Sequence, residues 1–122
     1  MDSAIAVTGA FLLVAYADGR YEPSEESRFL STIANDPALE PFKTEALELA
    51  YNLLNKEFIA GYAETSERVL TRVAALKNDA RVADAVKLAA RSAVVADRRI
   101  APQEELALSR LAAALGLPEG EL

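Results

Sequence analysis

The chain of 122 residues contains no cysteine and no histidine. That double absence removes disulfides, thiolate nucleophiles, zinc or iron sites built on sulfur or imidazole, and every histidine general base. Any metal must be held by oxygen. Lack of cysteine fits a reducing compartment, although many exported proteins lack it as well. No basic segment precedes the apolar stretch from Ile5 to Ala17, so it does not read as a signal peptide, and its 13 residues are too few to span a bilayer. A cytoplasmic protein without membrane insertion is expected. No run alternates with period two, and Gly9, Gly19 and Gly61 are isolated, so no phosphate-cradling glycine loop is present.

What is present is apolar mass and acid. Hydrophobic residues make up 52% of the chain, enough for one self-sufficient core. The net charge of −6 argues against nucleic-acid binding, which takes its affinity from neutralised phosphates. The charge is unevenly spread: residues 1–67 carry 12 acids and 4 bases, whereas residues 68–99 carry 3 acids and 8 bases. Arg68, Arg72, Lys77 and Arg81 read as a solvated helix face, with an acidic partner for this middle third as the alternative.

The apolar period is helical almost throughout. It predicts helices from about Ser3, as N-cap, to Ala17; from Pro23, with Phe29, Leu30, Ile33 and Ala34 inward, to the Asn35-Asp36-Pro37 stop; and from Phe42 to Ala60. The third would bury Leu47, Leu49, Ala50, Leu53, Leu54 and Phe58 and stop at Gly61. Further helices are expected from Glu64 to Leu76, from the Asp79 cap to Ala96, and from Pro102 to near Gly116. The fold expected is therefore an all-α compact bundle of about six helices in a single domain, 1–122. Tyr16, Phe29, Phe42 and Phe58 at helical spacing are core rather than a cofactor box.

Residues 17–26, Ala-Asp-Gly-Arg-Tyr-Glu-Pro-Ser-Glu-Glu, align without gaps with residues 96–105, Ala-Asp-Arg-Arg-Ile-Ala-Pro-Gln-Glu-Glu, and six of the ten positions are identical. Each copy joins two apolar helices, which implies an internal duplication of helix, acidic turn and helix over about 3–35 and 80–116. Most of the pattern serves local stability. Gly19 suits a helix stop, Tyr21 or Ile100 can staple the next helix, Pro23 or Pro102 begins it, and Glu25 or Glu104 at N3 meets its exposed N–H groups. Asp18 and Asp97 do not fit that account. Each follows a helix C-terminus, where the dipole disfavours an acid, so a partner is implied: free N–H groups, an arginine such as Arg20 or Arg99, or a cation.

An EF-hand is excluded. Placing Asp18 and Gly19 at loop positions 5 and 6 puts Glu25 at position 12, but positions 1 and 3 become Val14 and Tyr16. The second copy offers Ala93 and Val95 there. A different oxygen site built from Asp18, Glu25, Asp97 and Glu104 requires both turns at one end of the bundle, and hence parallel first and fifth helices.

The repeated Asp-Gly-x-apolar-x-Pro-x-Glu-Glu turn between apolar helices, closed by Leu115-Gly116-Leu117, resembles the TerB-like family named after bacterial tellurite-resistance proteins. The likeness covers essentially the whole chain. It implies a small duplicated all-α module, mostly bacterial, with divalent-metal binding in stress-response or tellurite-resistance complexes. Carried over by motif, it selects Asp18, Glu25, Asp97 and Glu104 as metal ligands, with Glu26 and Glu105 as alternates and Ca²⁺ or Mg²⁺ as the cation. The second copy departs from the pattern at Arg98, where glycine is usual, and at Ala101, where a polar cap is usual, which favours the first half-site.

The reading is a non-enzymatic binding module with no organic cofactor, engaging protein partners. The alternative is a metal-free interaction or self-association domain, a homodimer included, driven by the opposite charge of the N-terminal and middle thirds. Asp18 with Glu25 is the sole carboxylate pair to nominate for acid–base work, and no nucleophile with a base accompanies it.

Overall fold

The computed structural model describes residues 2–17, 44–95 and 102–117. Among them lie five α-helices and no strand: α1 (Asp2–Ala15), α2 (Thr44–Ala60), α3 (Tyr62–Ala75), α4 (Ala80–Val95) and α5 (Pro102–Ala114). The architecture is all-α, as the periodicity requires. The helix expected from Pro23, with Phe29, and the region of Phe42 lie outside the described residues.

α1 is the axis of the bundle. Its sequence, DSAIAVTGAFLLVA, is apolar on every side, and a helix of that kind is stable in water only when it is wrapped completely. From Ala6 to Val14 the chain is sealed from solvent. All four other helices pack on it, α4 most extensively, then α2, α3 and α5. α4 presents Ala85, Ala89 and Ala93 at i, i+4 and i+8, all buried, and this small-residue ridge allows its backbone to come close.

The contact with α3 is closer still. A Cβ placed on Gly9 would lie 2.7 and 2.8 Å from the two Val69 methyl carbons, so only glycine lets α3 approach at this point. Tyr62, seven residues before Val69, reaches Leu13, and Val69 meets Gly9, so the two helices run antiparallel.

The helix ends follow recognisable chemistry. Asp79 caps α4 as expected, its Oδ1 accepting from the N–H groups of Arg81 at 3.0 Å and Val82 at 3.4 Å. α5 closes in a Schellman motif: the Leu117 N–H reaches the Ala112 carbonyl at 2.9 Å, the Gly116 N–H reaches Ala113 at 3.0 Å, and Gly116 has φ +73°. At the end of α1 the Ala17 N–H turns to Val14, and the Leu13 carbonyl instead accepts from the Tyr62 hydroxyl at 2.7 Å. A side chain from α3 thus satisfies a carbonyl that the helix leaves open.

Gly61 terminates α2 as expected, with an extended φ of −169°; the corner is held by the Glu57 carbonyl, which accepts from the Gly61 N–H and the Thr65 hydroxyl, each at 2.9 Å. Two local expectations need correction. Ser3 lies inside α1 rather than capping it, because the helix already begins at Asp2. Leu49 and Leu53 are 50% and 51% exposed instead of buried, since the face toward α1 is set by Leu47, Ala50, Leu54 and Phe58 and these two fall off it.

Two substitutions test this packing. Gly9→Ala should cost about 1–3 kcal/mol by forcing α1 and α3 apart. Gly61→Ala, where no atom lies within 4 Å of the added Cβ, should be neutral or slightly stabilising; urea denaturation of both variants measures the contrast. Asp79→Ala should lower stability by about 1 kcal/mol in the same assay.

Candidate functional site

Of the four acids selected from the repeated turn, Glu104 alone falls among the described residues; Asp18, Glu25 and Asp97 lie outside them, as does the alternate Glu26. The two turns themselves, and the condition that they share one end of the bundle, lie there too. Glu104 is the third residue of α5, after Pro102, which is the N3 position expected of it. Its neighbour Glu105, the other alternate, is exposed.

The burial of Glu104 is what distinguishes it. It is only 3% exposed, a rare state for a glutamate unless the carboxylate is engaged, and it does make a polar interaction. α5 turns Glu104, Ala107 and Leu111 inward at i, i+3 and i+7, so the acid sits on the same stripe that packs the helix onto the core. A capping role alone would be served by a solvent-facing carboxylate at this position. Among the described residues no group of three or more acids could hold a metal ion, so Glu104 is a single candidate donor there.

A second polar region lies where α1, α2 and α3 meet. Tyr16 stacks on Phe58 with ring centroids 5.9 Å apart and donates its hydroxyl to Asn55; Phe58 in turn touches Tyr62 at 5.7 Å. Phe58 is core, as expected, whereas Tyr16 and Tyr62 are half-buried and pack against it. Burial raises the pKa of Tyr51, and the nearby Tyr16 adds to the effect. Burial likewise raises Tyr62, with the Ser66 hydroxyl and the Arg110 charge pulling the other way. Both phenols are therefore neutral at ordinary pH, and that of Tyr62 serves as a hydrogen-bond donor.

The third feature is a groove between α2 and α3, unforeseen in the sequence. A pocket of about 180 Å³ has Ile5, Leu53, Leu54 and Val69 as its apolar floor and Glu57, Arg68 and Arg72 at its rim. Arg68 and Glu57 pair across the helices at 3.3 Å. The missed signal was angular: Leu49 and Leu53 lie one turn apart with Glu45 one turn earlier, a stripe distinct from that of Leu47, Leu54 and Phe58.

Helices wrapped around a sealed apolar axis, with a buried glutamate near the start of the last described helix, define a small all-α module. The family model described as tellurite resistance protein TerB matches residues 4–122, nearly the whole chain, and the protein belongs to that family. No curated protein and no solved structure matches it. No helix among the described residues is long and apolar enough to cross a membrane.

The buried tyrosines give a directional pH test. A phenol whose pKa is raised by folding contributes stability that is complete below its unfolded value, near 10, and is lost as pH rises through the folded value. The urea midpoint should therefore fall as the solution is taken above about pH 10, and Tyr51→Phe should flatten that fall relative to its own neutral-pH stability.

Proposed function

We propose that this TerB-family protein is a non-enzymatic module that binds a divalent cation, Ca²⁺ or Mg²⁺, through its acidic turns, within a bacterial stress or metal-resistance response in the cytoplasm. The observation that carries the reading is the burial of Glu104, the acid that closes the second copy of the turn. Selection for a capped helix does not require a carboxylate to be taken out of water at a cost of several kcal/mol when uncompensated. Glu104 already makes a polar interaction, and a cation at the turn would add to that compensation.

The donor chemistry agrees. With no cysteine or histidine, the available ligands are carboxylate, carbonyl and hydroxyl oxygens, the set preferred by hard cations that keep part of their hydration. Asp18, Glu25, Asp97 and Glu104 are the proposed ligands. Asp18 and Asp97 follow helix C-termini, where a bound cation would offset the repulsion that each acid feels from the dipole. The first turn is the stronger half, because Arg98 stands beside Asp97 where the first copy has Gly19. Non-enzymatic action follows from the same inventory, which lacks an activated nucleophile and a cofactor motif.

Titration of the cation-free protein with calcium, followed by ¹⁵N–¹H correlation spectra, tests the proposal. Saturable shifts should appear first at Asp18, Gly19 and Glu25, and Glu25→Gln should weaken binding at least about tenfold, since it removes a charged ligand. Absence of saturable shifts at millimolar calcium and magnesium would defeat it.

A further inference from the structure

The last turn of α1 is held from outside by the corner where α2 passes into α3, and we infer that Tyr16, Asn55 and Tyr62 are positioning residues for the first acidic turn, which Asp18 opens. The inference rests on the cation reading for its ligand and deepens it by naming what fixes one of the donors.

Covalent geometry makes the link. Asp18 follows Tyr16 by two residues, so their Cα atoms lie no more than about 7 Å apart. Whatever fixes Tyr16 therefore limits where the first donor can go.

Tyr16 is held through its backbone, its ring and its hydroxyl. Its N–H donates to the Leu12 carbonyl at 2.9 Å, its ring stacks on Phe58 at an interplanar angle of 10°, and its hydroxyl donates to Asn55 Oδ1. The neighbouring Leu13 carbonyl, which the helix leaves open, accepts from the Tyr62 hydroxyl at 2.7 Å. The corner that supplies these groups is itself tied, because the Glu57 carbonyl accepts from the Gly61 N–H and the Thr65 hydroxyl.

Apolar packing does not call for the two hydroxyls. Phe58 can bury its ring against phenylalanine as well as against tyrosine, whereas each phenol oxygen adds a directional bond from the exit of α1 to another helix. Outer partners of this kind strengthen cation binding, since a donor that is already oriented loses less freedom when the ion arrives.

Calcium titration and amide hydrogen exchange on the same variants test the inference. Tyr62→Phe and Asn55→Ala each remove one of these bonds and keep the rings. Each should raise the calcium dissociation constant at least about tenfold, the usual effect of losing an outer partner of a ligand. Asp79→Ala, which weakens the fold at the start of α4, should leave calcium affinity unchanged and so separates positioning from a general loss of stability. In the cation-free protein, the Tyr16 and Ala17 amides of Tyr62→Phe should exchange roughly three- to tenfold faster, as expected for loss of one hydrogen bond, while those of α4 keep their rates. Wild-type calcium affinity in both variants overturns the inference, and so does unaltered exchange at Tyr16 and Ala17. A wild-type chain that binds neither calcium nor magnesium defeats the cation reading instead, and the exchange rates then decide alone whether the corner holds the exit of α1.

Discussion

The structure depends on the wrapping of one helix. α1 has no polar face to offer water, so the other helices must cover its whole circumference, and their positions follow from that demand more than from contacts with each other. α2 and α3 touch, as do α3 and α5, yet α1 is the element common to every layer. The closest approach, at Gly9 and Val69, sets how near α3 comes. That spacing in turn lets Tyr62 reach the open Leu13 carbonyl at the end of α1. Apolar packing and backbone satisfaction are solved together by one pair of antiparallel helices.

The same demand shapes the surface. Because α2 turns Leu47, Ala50, Leu54 and Phe58 toward α1, its remaining leucines are left outside, and the space between α2 and α3 becomes a groove instead of more core. At the other end of the chain, α5 uses Ala107 and Leu111 to dock and brings Glu104 in with them. A carboxylate on the packing stripe is an expensive choice for a helix that is otherwise typical, and it ties the start of α5 to the core rather than to solvent.

Much of this was readable beforehand. Helical periodicity located every described helix to within about two residues, and Asp79, Pro102 and the Leu-Gly-Leu closure marked ends that the structure reproduces. The duplicated turn pointed to the family, which the match over residues 4–122 establishes. What escaped was rotational. Summing apolar residues along α2 counts Leu49 and Leu53 with the core, whereas only the angle about the axis separates them from it. Gly9 was equally silent as a letter in an apolar run, since its meaning lies in Val69, sixty residues away. The short contact of Tyr62 with Leu13 is of the same kind: a long-range pairing that no local pattern encodes. Of the candidate ligands, Glu104 was assigned to its correct helical position, but its burial depends on which way α5 is turned, and the other three lie outside the described residues.

A central helix enclosed on all sides has a further consequence for how the molecule comes apart. Its amide protons have no route to solvent through fraying of a single neighbour, because removing any one covering helix still leaves α1 packed by the others. Deep exchange of those protons therefore reports loss of the whole fold, whereas α5, which packs least extensively on α1, can detach in a smaller opening. The glutamate near the start of α5 would reach bulk water in such an opening while the axis stayed intact.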